Sequence, residues 1–360
     1  ILKLKKIKIK MKSILVTGGA GFIGSHTSLL LLDKGFVIFV LDSLENSSEK
    51  SIEKVSKILK KKGLETEGKI YFIKGNLKDN CAIERVFQMS IQLNKKIEFV
   101  IHFAGLKSVF DSVIKPIEYW DNNVNGTIKL LKVMEKYNCK NIVYSSSATV
   151  YKKNSSKLLS ESDACQPINP YGHTKLTIEK ILNDTFMSQP NNWRIACLRY
   201  FNPVGAHESG LIGEDPLNRP NNLYPRITKV AIGKIDKIKI FGSDWPTRDG
   251  TCIRDYIHVM DLAEGHLLTL NHLSKEKPQM LTLNLGTGKG TSVLELIKNF
   301  EKVNNLKIPF SFHERRVGDN SFVVADNSLA RSILNWVPKR NIDDVCRDGW
   351  NWQQKNPNGY

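Results

Sequence analysis

Long apolar runs are missing from this sequence. No stretch of its 360 residues approaches the roughly eighteen uninterrupted apolar residues of a membrane-spanning helix, so we expect no membrane association. The first ten residues, ILKLKKIKIK, lack the apolar core and the small-residue cleavage site of a secretory signal, and we interpret them as a lysine-rich extension. Cysteine is scarce, with six residues and no C-x-x-C pair, which is typical of reduced thiols in a cytoplasmic protein and predicts no metal site.

Acidic residues are few relative to basic ones: 36 Asp and Glu stand against 53 Lys and Arg, a formal net charge of +17. An excess of this size raises the question of a polyanionic partner. Lysines cluster in the first ten residues and between Lys50 and Lys62, whereas arginine is favoured for base and phosphate recognition. Neither zinc-finger spacing nor an RNA-recognition signature accompanies the charge. We therefore interpret it as solvated lysine and expect no nucleic-acid partner, with a nucleic-acid binder kept as an alternative.

Apolar runs that alternate with helical patterns predict an α/β fold. Residues 13–17 (SILVT) form a first apolar run, a glycine turn and a helix-like segment over residues 25–34 follow, and residues 36–41 (FVIFVL) indicate a second strand. Further strand-like runs lie at 71–73, 99–103, 142–145 and 195–199, and long helical patterns at 117–137 and 171–186. Runs that are apolar throughout are typical of strands covered on both faces. We predict a Rossmann-type doubly wound parallel sheet in residues 11–200 and a smaller mixed α/β domain in residues 201–360, with a segment near 251–272 returning to the first domain.

A glycine turn directly follows the first predicted strand. Gly18, Gly21 and Gly24 have the G-x-x-G-x-x-G spacing, which allows a tight turn, a close approach of the backbone to a pyrophosphate, and packing of helix on strand. The helix N-terminus then offers N–H groups to phosphate oxygens. Asp42 ends the next strand about twenty residues on, where a carboxylate accepts hydrogen bonds from ribose hydroxyls and repels a 2′-phosphate. The pattern favours NAD over NADP and over the simpler interpretation of a plain tight turn.

A serine, a tyrosine and a lysine form the predicted catalytic set. Ser147 closes a serine run after the strand at 142–145, at the edge where such sheets bind ligands. Tyr171 and Lys175 have the spacing Y-x-x-x-K, so a helix places them one turn apart on one face. An unperturbed tyrosine, with a pKa of about 10, is a poor base, but a cationic lysine together with an oxidised nicotinamide ring would favour the phenolate. The phenolate would then take the proton of a sugar hydroxyl while the carbon gives up hydride.

In this order and context the motifs resemble those of the extended short-chain dehydrogenase/reductase family and, within it, the UDP-glucose 4-epimerases. The similarity runs from Met11 to the final NPNGY. The matching segments are TGGAGFIGSHT, HFAGLKSV, DNNVNGT, SSSATVY, NPYGHTK, LRYFNPVGAH, PNNLYP, IRDYIHVMDLA and RRVGD. The resemblance implies a cytoplasmic, NAD-dependent enzyme that interconverts UDP-glucose and UDP-galactose. It also implies a homodimer formed through the helices near 117–137 and 171–186.

The resemblance implies a set of cofactor contacts drawn from the glycine turn, the strand ends and the helices that follow them. These residues are Gly18, Gly21, Phe22, Ile23, Gly24, Asp42, Asn46, Ser47, Asn76, Leu77, Phe103, Ala104, Gly105, Lys107, Asn122, Tyr171, Lys175 and Tyr200. Asn76 stands where the family usually has Asp, and its amide oxygen can still accept a bond from the adenine amino group. Lys107 would reach the phosphates or a ribose, Asn122 would order this region, and Tyr200 would lie beside the nicotinamide.

The resemblance likewise implies contacts with a UDP-sugar. These residues are Lys107, Ser147, Tyr171, Asn202, Asn222, Leu223, Arg254, Arg316, Asp319 and Val323. Arg254 and Arg316 would clamp the diphosphate, because an arginine fork suits phosphate geometry, and Asp319 would bind the uridine ribose. Val323 stands at a position that resembles the family's size limit for the sugar 2-substituent. Since valine is smaller than the aromatic residue that excludes N-acetyl groups, we hypothesise turnover of UDP-N-acetylglucosamine as well.

The implied reaction is oxidation at sugar C4 to a 4-keto sugar, rotation of that sugar, and return of hydride to its opposite face. The related sugar-nucleotide 4,6-dehydratases typically carry an Asp-Glu pair after the serine motif. Ala148 and Thr149 occupy those positions here and cannot do that proton chemistry. The alternatives that stay open are a UDP-N-acetylglucosamine 4-epimerase, a dual-specificity enzyme and a non-catalytic NAD-binding module, although the intact serine, tyrosine and lysine set argues against the last.

Overall fold

The computed structural model describes residues 12–152, 157–216, 222–316 and 318–360, in which strands and helices alternate. The strands are β1 (Ser13–Thr17), β2 (Val37–Asp42), β3 (Ile70–Lys74), β4 (Ile97–His102), β5 (Asn141–Ser147), β6 (Arg194–Tyr200), β7 (Asn202–Val204), β8 (Ile238–Phe241), β9 (Ile253–Arg254), β10 (Tyr256–His258), β11 (Gln279–Leu285), β12 (Thr291–Ser292), β13 (Phe310–His313) and β14 (Phe322–Val323). The α-helices are α1 (Phe22–Asp33), α2 (Lys50–Lys61), α3 (Asn80–Gln92), α4 (Val109–Ile114), α5 (Pro116–Tyr119), α6 (Gly126–Lys136), α7 (Pro170–Ser188), α8 (Leu223–Ala231), α9 (Val259–Lys275), α10 (Val293–Asn304), α11 (Ser328–Leu334) and α12 (Ile342–Lys355).

Seven parallel strands form the central sheet, in the order β11-β6-β5-β4-β1-β2-β3. Every residue of β1 and β2 is buried, because helices cover both faces of the sheet. Ile14 and Val16 pack in a cluster with α1, α2 and α9, whereas Leu15 between them packs with α3, α6 and α7 on the other face. The predicted Rossmann-type doubly wound parallel sheet is confirmed.

The later part of the chain builds smaller sheets around a separate core. β7 pairs with β10, β8 with β13, and β9 lies between β12 and β14, in both parallel and antiparallel pairs. Tyr224, Phe300 and Val345 bring α8, α10 and α12 together in one apolar cluster. This is the predicted mixed α/β substructure. The chain then returns to the central sheet over residues 259–285, where α9 packs against α1 and β11 pairs with β6, whereas the preceding β9 and β10 pair within the smaller sheets.

The helices differ from the prediction in two places. α1 begins at Phe22 and not at Ser25, because Gly21 already acts as its N-cap. The single helix predicted over 117–137 is divided by a π-helical turn over Trp120–Asn125, a feature that often marks functional sites. A π turn inserts one residue into the helical repeat, which apolar periodicity does not register. In the described ranges no helix is both long and apolar enough to cross a membrane.

Helix α2 carries the internal lysine cluster. It buries Ile52, Val55 and Leu59 and turns Lys57 and Lys60 outward to solvent, which is the arrangement of an amphipathic helix. These two lysines are therefore solvated at the protein surface. The lysine-rich extension of residues 1–10 lies outside the described residues.

Candidate active site

The glycine turn after β1 leaves no room for side chains. Gly18 has a φ of +68°, and a Cβ there would lie 2.7 Å from the backbone nitrogen of Ala104. A Cβ at Gly24 would lie 2.3 Å from the carbonyl oxygen of Gly18, so the first turn of α1 rests directly on the loop. Gly21 caps α1 without a side-chain hydrogen bond, and the N–H groups of Phe22 and Ile23 begin the helix. This arrangement fits a dinucleotide pyrophosphate.

Asp42 ends β2 beside the glycine turn. One carboxylate oxygen accepts a hydrogen bond of 2.9 Å from the backbone N–H of Ala20. The other accepts bonds from the N–H of Leu44 (3.0 Å) and from the hydroxyl of Ser47 (2.7 Å). The carboxylate is thus fixed next to the turn, with Ser47 and the neighbouring Asn46 at its edge, an arrangement that fits recognition of ribose hydroxyls.

Asn76 uses its side chain within the protein. Its amide oxygen accepts a bond of 2.9 Å from the N–H of Lys78, and its amide nitrogen donates a bond of 2.8 Å to Glu45. The oxygen keeps a second lone pair for the predicted adenine contact. Leu77 beside it is buried against Gly126, the first residue of α6.

A buried asparagine of the π turn ties the β4 loop to α7. The side-chain oxygen of Asn123 accepts a bond of 2.7 Å from the N–H of Leu106, and its nitrogen donates to the carbonyl of Leu106 and to Thr174, each at 3.1 Å. Gly105 is needed here, because a Cβ would lie 3.1 Å from the oxygen of Asn123. The sequence predicted Asn122 for this ordering role, but these hydrogen bonds are made by Asn123, and the cofactor contact of Asn122 stays a prediction.

The predicted phosphate ligand Lys107 pairs with an acid that sequence reasoning missed. Its ammonium lies 3.1 Å from the carboxylate of Glu214, which follows β7 in the chain. Tyr360 fixes the same segment, since its hydroxyl bonds the N–H (3.1 Å) and carbonyl (3.2 Å) of Gly213. A narrow cleft between this segment and the glycine turn is lined by Gly21 and Phe22 on one side and by Gly213 and Glu214 on the other, and Lys107 also borders it. No local signal in the sequence joins Lys107 with Glu214, because they are far apart in the chain.

Ser147, Tyr171 and Lys175 meet at the edge of the sheet. Ser147 ends β5 near the Tyr171 hydroxyl, and its own hydroxyl accepts hydrogen bonds from the N–H (3.2 Å) and the hydroxyl (3.0 Å) of Thr149. Tyr171 begins α7, whose N-cap Asn169 accepts a bond of 2.8 Å from the N–H of Gly172. A Cβ at Gly172 would lie 2.7 Å from the carbonyl of Thr149, so α7 starts in contact with the chain that follows β5. The ammonium of Lys175 lies 5.8 Å from the centroid of the Tyr171 ring.

Burial controls the ionisation of this set. Tyr171 is partly exposed, yet the protein packed around it raises its pKa to about 12, and the nearby Ser147 hydroxyl opposes that change only in part. Burial lowers the pKa of Lys175 to about 8, against the stabilising charge of Glu179. The sequence predicted that Lys175 and a nicotinamide charge together favour the phenolate. With Lys175 alone, burial outweighs the lysine and the pKa of Tyr171 is raised, not lowered.

The side chains of Tyr200 and its neighbour Phe201 pack against different groups of residues. The Tyr200 hydroxyl hydrogen bonds to His266 of α9, and the Phe103 ring packs at a tilt against the same imidazole, with ring centroids 4.8 Å apart. Phe201 packs in a buried cluster with Ala148 and Val323. Tyr200 therefore lies on the Phe103 side of the site, and its contact with the nicotinamide stays a prediction, whereas Phe201 borders the segment next to Ser147. Sequence reasoning missed Phe201.

Three predicted substrate residues lie together at the small three-stranded sheet, with Arg254 and Val323 on its strands and Asp319 just before β14. Arg254 of β9 pairs in register with Val323 of β14, and its guanidinium lies 3.9 Å from the carboxylate of Asp319. The same guanidinium donates bonds of 2.9 Å and 2.8 Å to the carbonyls of Ile253 and Asn320. Arg254 is thus held at a fixed position and orientation beside Asp319.

Arg316 and the remaining substrate residues lie on neighbouring elements. The Arg316 guanidinium stacks 3.7 Å from the ring centroid of Phe241, which ends β8 and was missed from the sequence. Asn222 caps α8 and Leu223 begins it, and α8 packs against β8. Asn202 begins β7, where its N–H donates a 2.9 Å bond to the carbonyl of Asp255. The structure therefore groups these residues by element, and their roles stay predictions.

Comparisons with known proteins agree with this geometry. The chain matches the family model described as GDP-mannose 4,6 dehydratase over residues 15–349. It is 48% identical, over 350 residues and 97% of each chain, to the bifunctional UDP-glucose 4-epimerase and UDP-xylose 4-epimerase 3 of Arabidopsis thaliana. It is 47% identical, over 348 residues, 97% of this chain and 98% of the other, to the UDP-glucose 4-epimerase of Bacillus subtilis (strain 168).

A solved structure extends the agreement to the fold. The UDP-glucose 4-epimerase from Bifidobacterium longum, determined in complex with NAD+ and UDP, superposes with a TM-score of 0.89 at 46% sequence identity, covering 97% of this chain and 100% of that one. The family model is described by a dehydratase, but the relatives and this structure carry the epimerase name. The chain therefore belongs to the UDP-glucose 4-epimerase family within the extended short-chain dehydrogenases/reductases.

Proposed function

We propose that the protein is a UDP-glucose/UDP-galactose 4-epimerase that works with NAD. The observation that carries this proposal is the meeting of Ser147, Tyr171 and Lys175 at the sheet edge next to the dinucleotide-type glycine turn. Full-length relatives that are 47% to 48% identical and bear the epimerase name support the same activity.

The glycine turn, the start of α1 and the carboxylate of Asp42 would hold NAD. When bound, NAD supplies the acceptor and then the donor of the hydride at sugar C4. Asp42 already accepts three hydrogen bonds from the protein and is rigidly placed for a ribose. Lys107 would leave Glu214 or bridge it to reach the cofactor, because the ion pair borders the same cleft.

Tyr171 would take the proton of the sugar 4-hydroxyl and later return it. Ser147, which lies near the Tyr171 hydroxyl, would hold the sugar oxygen in line with that proton. Protonated Lys175 and the charge of an oxidised nicotinamide together would offset the burial that raises the pKa of Tyr171. As the proton leaves O4, the hydrogen on C4 leaves with its bonding electron pair as hydride. A C4=O double bond forms, which gives the 4-keto sugar. Hydride returns to the opposite face after the sugar turns, and the proton returns to O4.

The proposed binding contacts with the substrate are made mainly to its nucleotide part. Arg254, Arg316 and Asp319 would bind the diphosphate and the uridine ribose, and Phe241 presents an aromatic face beside Arg316. Firm binding there and few charged groups near the sugar would let the 4-keto sugar turn without leaving. We expect Asn202, Asn222 and Leu223 to contact the same nucleotide-sugar.

The proposal is tested by two measurements on the purified protein. Denaturation should release a dinucleotide that mass spectrometry identifies as NAD, and the native protein should convert UDP-galactose to UDP-glucose. A bound dinucleotide without turnover would favour the non-catalytic NAD-binding module. Salt-dependent affinity for DNA or RNA, titrated at two salt concentrations, together with no turnover, would favour the nucleic-acid binder.

A second substrate, UDP-N-acetylglucosamine, is favoured by Val323. This side chain is short, partly buried and packed in the cluster that contains Ala148, next to Ser147. A small residue at this place would leave room for a bulky sugar 2-substituent.

We also propose a homodimer. A patch of exposed apolar side chains lies on α4, α5 and the start of the π turn, including Phe110 (65% exposed), Val113 (63%), Ile114 (63%) and Ile117 (79%). Ile168, just before α7, and Met187, on α7, add to the exposed apolar surface. A contiguous apolar surface of this kind marks an association site, and a second copy related by a two-fold axis would cover the patch with its own.

The domain roles and the compartment are proposals as well. We assign cofactor binding to residues 11–200 with the returning segment 259–285, and nucleotide-sugar binding to the rest of residues 201–360. The six cysteines are free thiols, and four of them are buried, a pattern that suits the reducing cytoplasm.

A further inference from the structure

A carboxylate continues the catalytic face of α7. Tyr171, Lys175 and Glu179 follow one another at four-residue intervals, so they lie on one face of the helix. The Glu179 side chain is only 8% exposed, and the proposed reaction gives it no part. A buried charge of this kind requires partners.

Arg199 of β6 is the principal partner of Glu179. Its guanidinium forms two bonds with the carboxylate, from Nε to Oε1 at 3.0 Å and from Nη2 to Oε2 at 2.7 Å, and its side chain is 7% exposed. Such a bidentate pair fixes both side chains geometrically. Arg199 lies in register with Ser146 of β5, whose hydroxyl donates a further hydrogen bond to Glu179.

Two contacts therefore join α7 to the end of β5. The ammonium of Lys175 donates a bond of 2.7 Å to the carbonyl of Ser145, and one turn later Glu179 accepts from Ser146. The next residue of the strand is Ser147, whose hydroxyl lies close enough to Tyr171 to oppose the rise in its pKa. A shift of Glu179 would therefore move the strand end that carries Ser147.

Glu179 also supplies charge to a site that otherwise has little. Titratable groups on β4, β5, β6, α7 and the loop between β5 and α7 pack around Lys175 and Glu179. They are His102, Tyr144, Cys165, Tyr171, Cys197 and Arg199. Burial lowers the pKa of His102 to about 3 and raises the pKa values of Tyr144, Cys165 and Cys197, so these groups are neutral near pH 7. Glu179 is the anion that opposes the loss of the Lys175 proton.

We propose that Glu179, clamped by Arg199 and Ser146, is a positioning residue that keeps Lys175 protonated and holds Ser147 against Tyr171. Glu179 touches neither substrate nor cofactor in this role and acts through its neighbours. The catalytic meaning of this inference rests on the proposed function, whereas its electrostatic part concerns the folded protein alone.

The test compares Glu179→Gln with Glu179→Asp in the full chain. Carbon-13 NMR of lysine-labelled protein follows the titration of Lys175, whose signal is assigned by its absence in Lys175→Met. The Lys175 titration can be told from the others because ordinary lysines titrate near pH ~10.4. Removal of the charge in Glu179→Gln should lower the Lys175 midpoint by about one pH unit or more. Glu179→Asp keeps the charge and should keep the midpoint near that of the wild type. An unmoved midpoint in Glu179→Gln would overturn the electrostatic part.

Ser146→Ala tests the positioning part even if Glu179→Gln does not fold. It removes one contact and no charge, so kcat with UDP-galactose should fall at least about tenfold with little change in KM or in the Lys175 midpoint. An unchanged kcat would overturn the positioning role. Asp261→Asn is the matched control, because Asp261 is also a buried carboxylate paired with an arginine, Arg340, but on α9. It should lower stability and leave the Lys175 midpoint where it is.

The two readouts separate this inference from the proposed function. If the wild-type protein shows no turnover, the proposed function fails, and the NMR midpoint still decides whether Glu179 holds the proton on Lys175. If turnover is normal and the midpoint does not move in Glu179→Gln, the electrostatic inference alone fails.

Discussion

The ammonium nitrogen of Lys175 donates a hydrogen bond of 2.7 Å to the carbonyl oxygen of Ser145, and 5.8 Å separates it from the ring centroid of Tyr171. The end of β5 thus holds the lysine in place. The positive charge of Lys175 therefore acts on Tyr171 without direct contact, through the protein interior, where electrostatic interactions are strong. Whether that charge is present depends on pH.

Turnover should decline as the pH rises through about 8. Burial lowers the pKa of Lys175 to about 8, so the side chain is charged below that pH and neutral above it, and a neutral amine cannot stabilise the Tyr171 phenolate. The measurement is kcat for UDP-galactose between about pH 6 and about pH 10. Lys175→Arg, which stays charged over this range, should be slower but should lack this decline. The same decline in Lys175→Arg would contradict the assignment.

Tyr171→Phe should keep bound NAD and lose turnover. The substitution removes only the hydroxyl that is proposed to carry the proton, so we expect kcat to fall by about 10²- to 10⁴-fold. The dinucleotide released from the denatured variant should match the wild type in amount. Tyr137→Phe is the control, because the Tyr137 ring stacks on Phe87 away from the site and its hydroxyl has no proposed role. Near-normal turnover in Tyr171→Phe would refute Tyr171 as the base.

Asn123→Ala should remove the hydrogen bonds that connect the loop after β4 with α7. The side chain satisfies the N–H and carbonyl of Leu106 and also bonds Thr174, so its loss leaves buried groups without partners, at a cost of about 1–3 kcal/mol in the free energy of unfolding. Chemical denaturation measures this cost, and cofactor content measures its effect on the loop. Asn122→Ala, which alters the adjacent residue, should retain more of the stability. Equal losses in both variants would argue against a special role for Asn123.

The fold and the reacting side chains are predictable because their signals are local. The turn with Gly18, Gly21 and Gly24 lies between a strand and a helix within one short segment, and Tyr171 and Lys175 are one helical turn apart. The apolar character of whole strands reports burial on both faces, which places them in a central parallel sheet. These features require no knowledge of distant contacts.

The parts that could not be predicted depend on tertiary proximity or on helical phase. Asn122 and Asn123 are identical in type, and only the π turn decides that Asn123 faces Leu106. The pair of Lys107 with Glu214 joins segments distant in sequence, and nothing near either residue signals it. The pKa of Tyr171 likewise follows from how much protein surrounds it, which the Y-x-x-x-K spacing does not report.

Ile117→Asp should dissociate the proposed dimer. Ile117 is 79% exposed within the apolar patch, and a carboxylate buried there without a partner would oppose association. Light scattering after size exclusion should give a dimer mass for the wild type and a monomer mass for the variant. Ile91→Asp is the matched control, because Ile91 is 50% exposed on α3, outside the patch, and should leave the dimer intact. A monomeric wild type at the same concentration would contradict the proposal.

The wild-type protein should also epimerise UDP-N-acetylglucosamine, and Val323→Tyr should reduce this activity selectively. Val323 is partly buried in register with Arg254, so a larger side chain would project into the space beside the bound nucleotide-sugar. Because steric exclusion affects only the substrate with the bulky 2-substituent, we expect kcat/KM for UDP-N-acetylglucosamine to fall at least about tenfold. UDP-galactose, assayed with the same variant under the same conditions, is the internal control and should change little. If the wild type shows no detectable turnover of the N-acetyl sugar, Val323 does not make room for that substrate. Equal losses of activity on both sugars in Val323→Tyr would show that the tyrosine disturbs the whole site.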